Sequence, residues 1–265
     1  MICNGKVCIE GAEMDYIRFG SGSRNLVILP GLGDGLRTVK GTALPMALMY
    51  HMFSKDFTVY AFSRKSPLPK GYTTREMAQD QAEAMDILGI EKADVFAVSM
   101  GGMIAQYLAL DFHQKVNKMI LAVTSARPND ILKESVEEWT SLAKKGDHTA
   151  FMDSNLRRIY SADYCRKNRG ALPLLGLLTK PKSYDRFFIQ AEACLTHDAF
   201  EELRKIQAPT LVVGGEKDLA LGAEASREIA AAIPNAQLKM YPHWGHGLYE
   251  EEKGFNGLIL AFLKK

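Results

Sequence analysis

The longest stretch of this chain without a charged side chain, residues 95–110, changes character at a single serine. Up to Val98 it reads as a strand, Asp94-Val95-Phe96-Ala97-Val98, apolar and rich in β-branched and aromatic side chains. Beyond Gly102 it reads as a helix, Met103-Ile104-Ala105-Gln106-Tyr107-Leu108-Ala109-Leu110. The stretch carries Ser99, a Gly101-Gly102 pair and Gln106, and it falls short of the roughly 18–20 apolar residues of a membrane span. A buried strand followed by a buried helix explains it better. The junction is Ala97-Val98-Ser99-Met100-Gly101. A serine on a sharp strand-to-helix turn, with tiny residues two before and two after it, has its hydroxyl lifted above the sheet. The neighbours are tiny because strand and helix pass very close there. The N–H groups of the following helix point to where an oxyanion could form. The plainer alternative is a small-residue turn in a packed α/β sheet.

Short β runs alternate with helical runs along the rest of the chain, which implies a largely parallel sheet with helices on both faces. Residues 7–9 and 14–19 read as an N-terminal hairpin. Strands are predicted at 26–29, 57–62, 94–98 and 116–123, and a helix at 75–88. From 126 to 208 the pattern is helical with almost no strand. Leu132, Val136, Trp139 and Ala143 form one apolar stripe, with Asn129 or Asp130 to cap its start and Gly146 its end. Phe151, Met152, Leu156 and Ile159 form a second stripe, and Tyr184, Phe187, Phe188, Ala191 and Leu195 a third. The sheet pattern resumes at 210–215, followed by a helix at 223–233, a strand at 237–241 and a final helix at about 251–263. The 265 residues therefore suit one α/β core, 1–125 and 209–265, interrupted by a helical cap (lid), 126–208.

The formal net charge of +2 and the lack of a long basic block argue against a nucleic-acid partner. Residues 1–7 show no basic region leading into an apolar core, so a cytoplasmic location is expected rather than export. Cys3, Cys8, Cys165 and Cys194 have no paired ligand spacing and read as reduced thiols, with no metal site. The run Gly31-x-Gly33-x-Gly35 lacks the next glycine of a dinucleotide loop, since position 36 is Leu36. The cap shows no single long apolar face flanked by basic residues, so no stable membrane association is expected. Oligomeric state is left open.

A serine hydroxyl becomes a nucleophile only with a neutral imidazole to take its proton and a carboxylate to hold that imidazole. In a parallel sheet such groups belong just beyond the C-terminal ends of strands. Asp218, in Gly214-Gly215-Glu216-Lys217-Asp218, is the candidate acid. Glu216 competes from nearer the strand end, and an aspartate there could also be only a turn residue. His246 is the candidate base, set between Gly245 and Gly247, which let a loop approach other backbone closely. His243 is its rival; His51 and His113 fall in helical regions, and His148 and His197 in the cap. Oxyanion donors would be the N–H groups of Met100, after the nucleophile, and Leu32, in Leu29-Pro30-Gly31-Leu32-Gly33-Asp34-Gly35. A plain glycine-rich turn is the alternative for that loop. Met46, Met49 and Met52 step by three, as core or as a flexible pocket wall. Arg64 follows a strand end, as a solvated loop residue or a contact for an anionic substrate group.

The order Ser99, Asp218, His246 and the segments Ser99-Met100-Gly101-Gly102, Gly215-Glu216-Lys217-Asp218, Gly245-His246 and Gln207-Ala208-Pro209-Thr210-Leu211 resemble the α/β-hydrolase superfamily over essentially the whole chain. The elbow is similar to that of its esterase, enol-lactonase and cofactor-free perhydrolase branch. Three positions depart from the pattern: Ala97 for the first elbow glycine, Pro30 for the histidine often found before the oxyanion-loop glycine, and Ser63-Arg64-Lys65 for an acidic, glycine-rich turn. The last two are expected to alter pocket walls. The resemblance implies a mostly parallel sheet flanked by helices with an inserted helical lid. It also implies a serine nucleophile and no metal or organic cofactor. The expected activity is hydrolysis of a small-molecule acyl substrate, a carboxylic ester, thioester or lactone, through an acyl-enzyme. Acyl transfer on the same triad, C–C hydrolase or lyase chemistry, and ligand binding without catalysis are the alternatives.

Overall fold

A computed structural model of the chain describes residues 2–168, 170 and 180–265. Strands β1 (Cys3–Ile9), β2 (Ala12–Gly20), β3 (Arg24–Leu29), β4 (Phe57–Phe62), β5 (Ala93–Val98), β6 (Val116–Ala122), β7 (Thr210–Gly215) and β8 (Ala236–Tyr241) form one sheet. Their order is β1-β2-β4-β3-β5-β6-β7-β8. β1 and β2 pair antiparallel, β2 pairs antiparallel with β4, and every pairing from β4 to β8 is parallel. The helices are α1 (Ala43–Met49), α2 (Thr74–Ile87), α3 (Met100–Asp111), α4 (Asp130–Lys144), α5 (His148–Ile159), α6 (Ala162–Asn168), α7 (Asp185–Thr196), α8 (Ala223–Ala232), α9 (Leu248–Glu251) and α10 (Phe255–Lys264).

Burial explains the strand sequences. Every residue of β4, β5 and β7 is buried, as expected of parallel strands covered on both faces, so these read as continuous apolar runs. The edge strand β1 alternates exposed with less exposed residues, and β8 on the other edge is largely open. Two apolar layers cover the sheet. One holds Val27, Val95, Met103 and Leu121, and the other Ile28, Phe96, Ile120 and Phe255. α2 starts with a reciprocal capping box between Thr73 and Glu76.

The stretch between β6 and β7 holds α4 to α7 and, among its described residues, no strand. Leu132, Val136, Trp139 and Ala143 are all buried, and Asn129 accepts the Leu132 N–H at 2.8 Å as the cap of α4. The final helix differs from expectation. It is α10, which begins at Phe255 rather than at about 251, and the short helix α9 precedes it; between them the Glu252 carboxylate accepts from Gly254 N–H at 2.9 Å and Trp244 Nε1 at 2.7 Å. Among the described residues no helix is long and apolar enough to cross a membrane.

α3 lies against the sheet at the distance its glycines permit. A Cβ added at Gly101 would stand 2.0 Å from the Leu29 carbonyl oxygen on β3. That obstacle is backbone in the middle of a sheet and has nowhere to go. Gly101→Ala is therefore expected to destabilise the protein by about 2–3 kcal/mol, read as a fall of about 5–10 °C in Tm by thermal denaturation. An unchanged Tm would show that α3 can stand off from β3 at no cost.

Candidate active site

Ser99 joins β5 to α3 at φ 54°, ψ −123°, a conformation that L residues rarely adopt. Three hydrogen bonds hold it there. Its N–H donates to Ala122 O at 2.9 Å, and its carbonyl accepts from Gly102 N–H at 2.8 Å and Thr124 Oγ1 at 2.6 Å. The turn thus fastens the serine to β6 as well as β5. Ala97, the departure from glycine, is buried within β5 without disturbing its pairing to Leu29 and Leu121.

Asp218 lies just beyond β7 and His246 in the loop between β8 and α9. Both are buried, and His246 Nδ1 meets Asp218 Oδ2 at 2.8 Å. The other carboxylate oxygen accepts Ala220 N–H at 2.8 Å and Leu221 N–H at 2.9 Å. With Nδ1 engaged by the carboxylate, Nε2 is the imidazole nitrogen left for a proton from serine. Gly245 lets this loop press on the one carrying Asp218: an added Cβ would fall 2.8 Å from Lys217 O, and Lys217 N–H donates to Trp244 O at 3.0 Å. Ser99 and His246 line one cavity of about 520 Å³. No hydrogen bond joins them directly; such contacts are often loose in empty sites and tighten around substrate.

The rivals lie elsewhere. Glu216 ion-pairs with Arg227 on α8, and His243 is exposed and does not line this cavity. His197 is buried between Thr74 and Gln106, and burial pulls its pKa down to about 3, which marks a neutral packing residue.

Leu32 begins the single turn of 3₁₀ helix Leu32–Gly35 after β3, and Met100 begins α3. First residues of helices have N–H groups with no acceptor in the helix. Leu32 lines the cavity with Ser99, and the side chain of Met100 is buried in the core.

The cavity wall is mostly apolar and comes from two regions. Pro30 to Tyr50 supply one side, including Leu36 and Met46, while Trp139, Phe151, Ile159 and Phe187 come from the stretch between β6 and β7. Met46 and Met49 are wall, Met46 also packs against one of the core layers, and Met49 and Met52 are exposed, so the row divides between the two readings. Arg64 corrects both readings made of it. It is neither solvated nor at the cavity: its side chain is 1% exposed and donates from Nη2 to Pro30 O at 2.6 Å. Burial lowers its pKa, and Asp34 opposes that shift. Lys65 pairs with buried Asp80 and exposed Glu10 and does not line the cavity, so of the two wall-altering departures only Pro30 reaches it. Sequence reasoning missed the polar rim, Arg37, Tyr160, Tyr249 and Glu250, with Tyr160 Oη donating to Glu250 at 2.8 Å. Glu250 could have been found as an acidic residue on the short helix α9, which begins two residues beyond His246. Among the described residues no cluster of His, Cys, Asp or Glu could hold a metal ion.

A family model described as alpha/beta hydrolase fold matches residues 24–157 and 179–253. The protein named "Putative carbamate hydrolase RutD" from Caulobacter sp. (strain K31) is 28% identical over 195 residues, 72% of this chain and 73% of its own length. Two solved structures share the fold. MGS-M2, an alpha/beta hydrolase enzyme from a Medee basin deep-sea metagenome library, has a TM-score of 0.86 at 23% identity, covering 98% of each chain. The enol-lactonase from Burkholderia xenovorans LB400 has a TM-score of 0.83 at 23% identity, covering 98% of this chain and 100% of its own.

Proposed function

The chain belongs to the α/β-hydrolase family and is a hydrolase; on that premise we propose that it cleaves a small carboxylic ester, thioester or lactone through an acyl-enzyme on Ser99. The observation that carries this reading is the buried His246–Asp218 pair at 2.8 Å, with His246 in the wall of the cavity where Ser99 stands on its strained turn. His246 Nε2 takes the Ser99 proton as Oγ attacks the acyl carbon. The Leu32 and Met100 N–H groups receive the oxyanion, worth about 3–4 kcal/mol per donor. The alcohol, thiol or ring oxygen leaves with the proton from His246. Water, deprotonated by His246, then releases the acid, and Asp218 keeps Nδ1 protonated throughout. The name of the enol-lactonase structure describes an acyl carbon within this range, and that of the carbamate hydrolase relatives a carbonyl carbon bonded to nitrogen as well as oxygen, which is open to the same nucleophilic attack. We take the helices between β6 and β7 as a cap whose apolar residues select the acyl chain. Four free cysteines fit a reducing compartment, the cytoplasm.

The test is covalent. A fluorophosphonate should add once per chain, on the peptide containing Ser99, and short-chain nitrophenyl esters should be hydrolysed and should compete with the label. A protein that hydrolyses no ester and leaves Ser99 unlabelled would overturn the reading.

A further inference from the structure

Behind the oxyanion loop lies a buried group of charges that the mechanism above does not use. Asp34 closes the 3₁₀ turn that begins at Leu32, and its side chain is fully buried. Its Oδ2 accepts from Arg186 Nη2 at 2.5 Å, from Gln190 Nε2 at 3.2 Å and from Arg64 N–H at 3.3 Å. Arg186 does more than neutralise it. Its guanidinium also donates to Asp34 O at 3.0 Å, Lys65 O at 2.7 Å and Arg64 O at 2.8 Å. Arg64 in turn holds Pro30 O at 2.6 Å. Arg186 and Gln190 sit one turn apart on α7, and Phe187 beside them lines the cavity.

The consequence follows from peptide planarity. The Asp34 N–H donates to Gly31 O at 3.2 Å. In a trans peptide the carbonyl of one residue and the N–H of the next point in opposite directions. Fixing Gly31 O on Asp34 therefore fixes the direction of the Leu32 N–H, the proposed oxyanion donor. Fixing Pro30 O on Arg64 does the same for the peptide before it. The five N–H donors of the planar Arg186 guanidinium serve these four oxygens at once, more than the three donors of a lysine or the two of an amide could.

We propose that Arg186, acting through Asp34 and with Gln190 beside it, is a positioning residue that aims the Leu32 N–H at the oxyanion. Helix α7 thereby ties the wall that meets the substrate to the loop that stabilises the transition state. This rests on the acyl-enzyme reading of Ser99. Arg186 touches no reacting atom, and its loss acts on the transition state and leaves ground-state binding alone.

The experiment compares wild type, Arg186→Gln and Gln190→Leu, with kcat expressed per Ser99 titrated by a fluorophosphonate. Arg186→Gln is expected to lower kcat per titrated site about 10- to 100-fold, less than outright removal of an oxyanion donor, with KM within about threefold. Affinity for a boronic acid that forms a tetrahedral adduct should fall by the same factor as kcat/KM. Gln190→Leu, which leaves Arg186 in place and guards against a failure of the first variant to fold, should give a smaller fall of the same kind. A purely structural role would lower Tm or the number of titrated sites and leave turnover per site unchanged. Turnover per site within twofold of wild type in the folded variants would overturn this proposal alone. Wild-type protein that neither hydrolyses ester nor labels at Ser99 would overturn both it and the reading it rests on.

Discussion

Ser99→Ala is expected to reduce kcat on a chromogenic ester by about 10⁴- to 10⁶-fold, because loss of the nucleophile leaves only the oxyanion site and binding to act on the substrate. The structure makes this a clean substitution. The bonds that hold the strained turn, to Ala122, Gly102 and Thr124, all use the Ser99 backbone. The Oγ makes no hydrogen bond that alanine would break, and His246 is held by Asp218 rather than by Ser99. Tm should therefore stay within a few degrees, and ligands that fill the cavity without reacting should bind as before. Steady-state kinetics with a Tm measurement on the same sample checks both halves. A folded variant retaining turnover within tenfold of wild type would place the nucleophile elsewhere.

The three residues proposed for that mechanism could be named from the sequence because each is announced locally. Ser99 and Asp218 follow apolar runs that β pairing buries, His246 follows the open edge strand β8, and each has glycine close by to let its loop approach another. Such signals span five or six residues and need no knowledge of the fold. Arg64 shows where that kind of reading ends. A charged residue after a strand is ordinarily solvated, and what buries it here comes from far along the chain. Asp34 is 30 residues away, and Arg186, whose guanidinium takes the Arg64 carbonyl, is 122. The cavity wall failed to be legible for a related reason. The apolar stripes of α4, α5 and α7 were visible as helix faces, yet nothing in their spacing says that, of the core residues they supply, Trp139, Phe151 and Phe187 also line the cavity with Ser99 while Ala143 and Ala191 do not. The late start of the final helix was not legible either: Glu252, just before it, bonds back to Trp244 and forward to Gly254, contacts that propensity does not reveal.

Asp218→Asn is expected to cost about 10⁴-fold in kcat at neutral pH, through the tautomer of His246 rather than through the fold. The argument depends on which way the new amide must face. Oδ1 of Asp218 accepts two backbone N–H groups, from Ala220 at 2.8 Å and Leu221 at 2.9 Å. An asparagine can satisfy those donors only with its oxygen, since an NH₂ group turned toward them would leave three donors facing one another in a buried site. Its nitrogen is therefore forced toward His246 Nδ1, where the carboxylate oxygen had been. Nδ1 must then accept, so the ring's single proton moves to Nε2, the atom required to take the proton of Ser99. The base is present, correctly placed and unable to act. Asp218→Ala separates this from a loss of structure, because it leaves the Ala220 and Leu221 N–H groups without an acceptor and should lower Tm, whereas Asp218→Asn should not. Turnover by folded Asp218→Asn within tenfold of wild type would mean that the orientation of His246 does not depend on Asp218, and that another group supplies the base for Ser99.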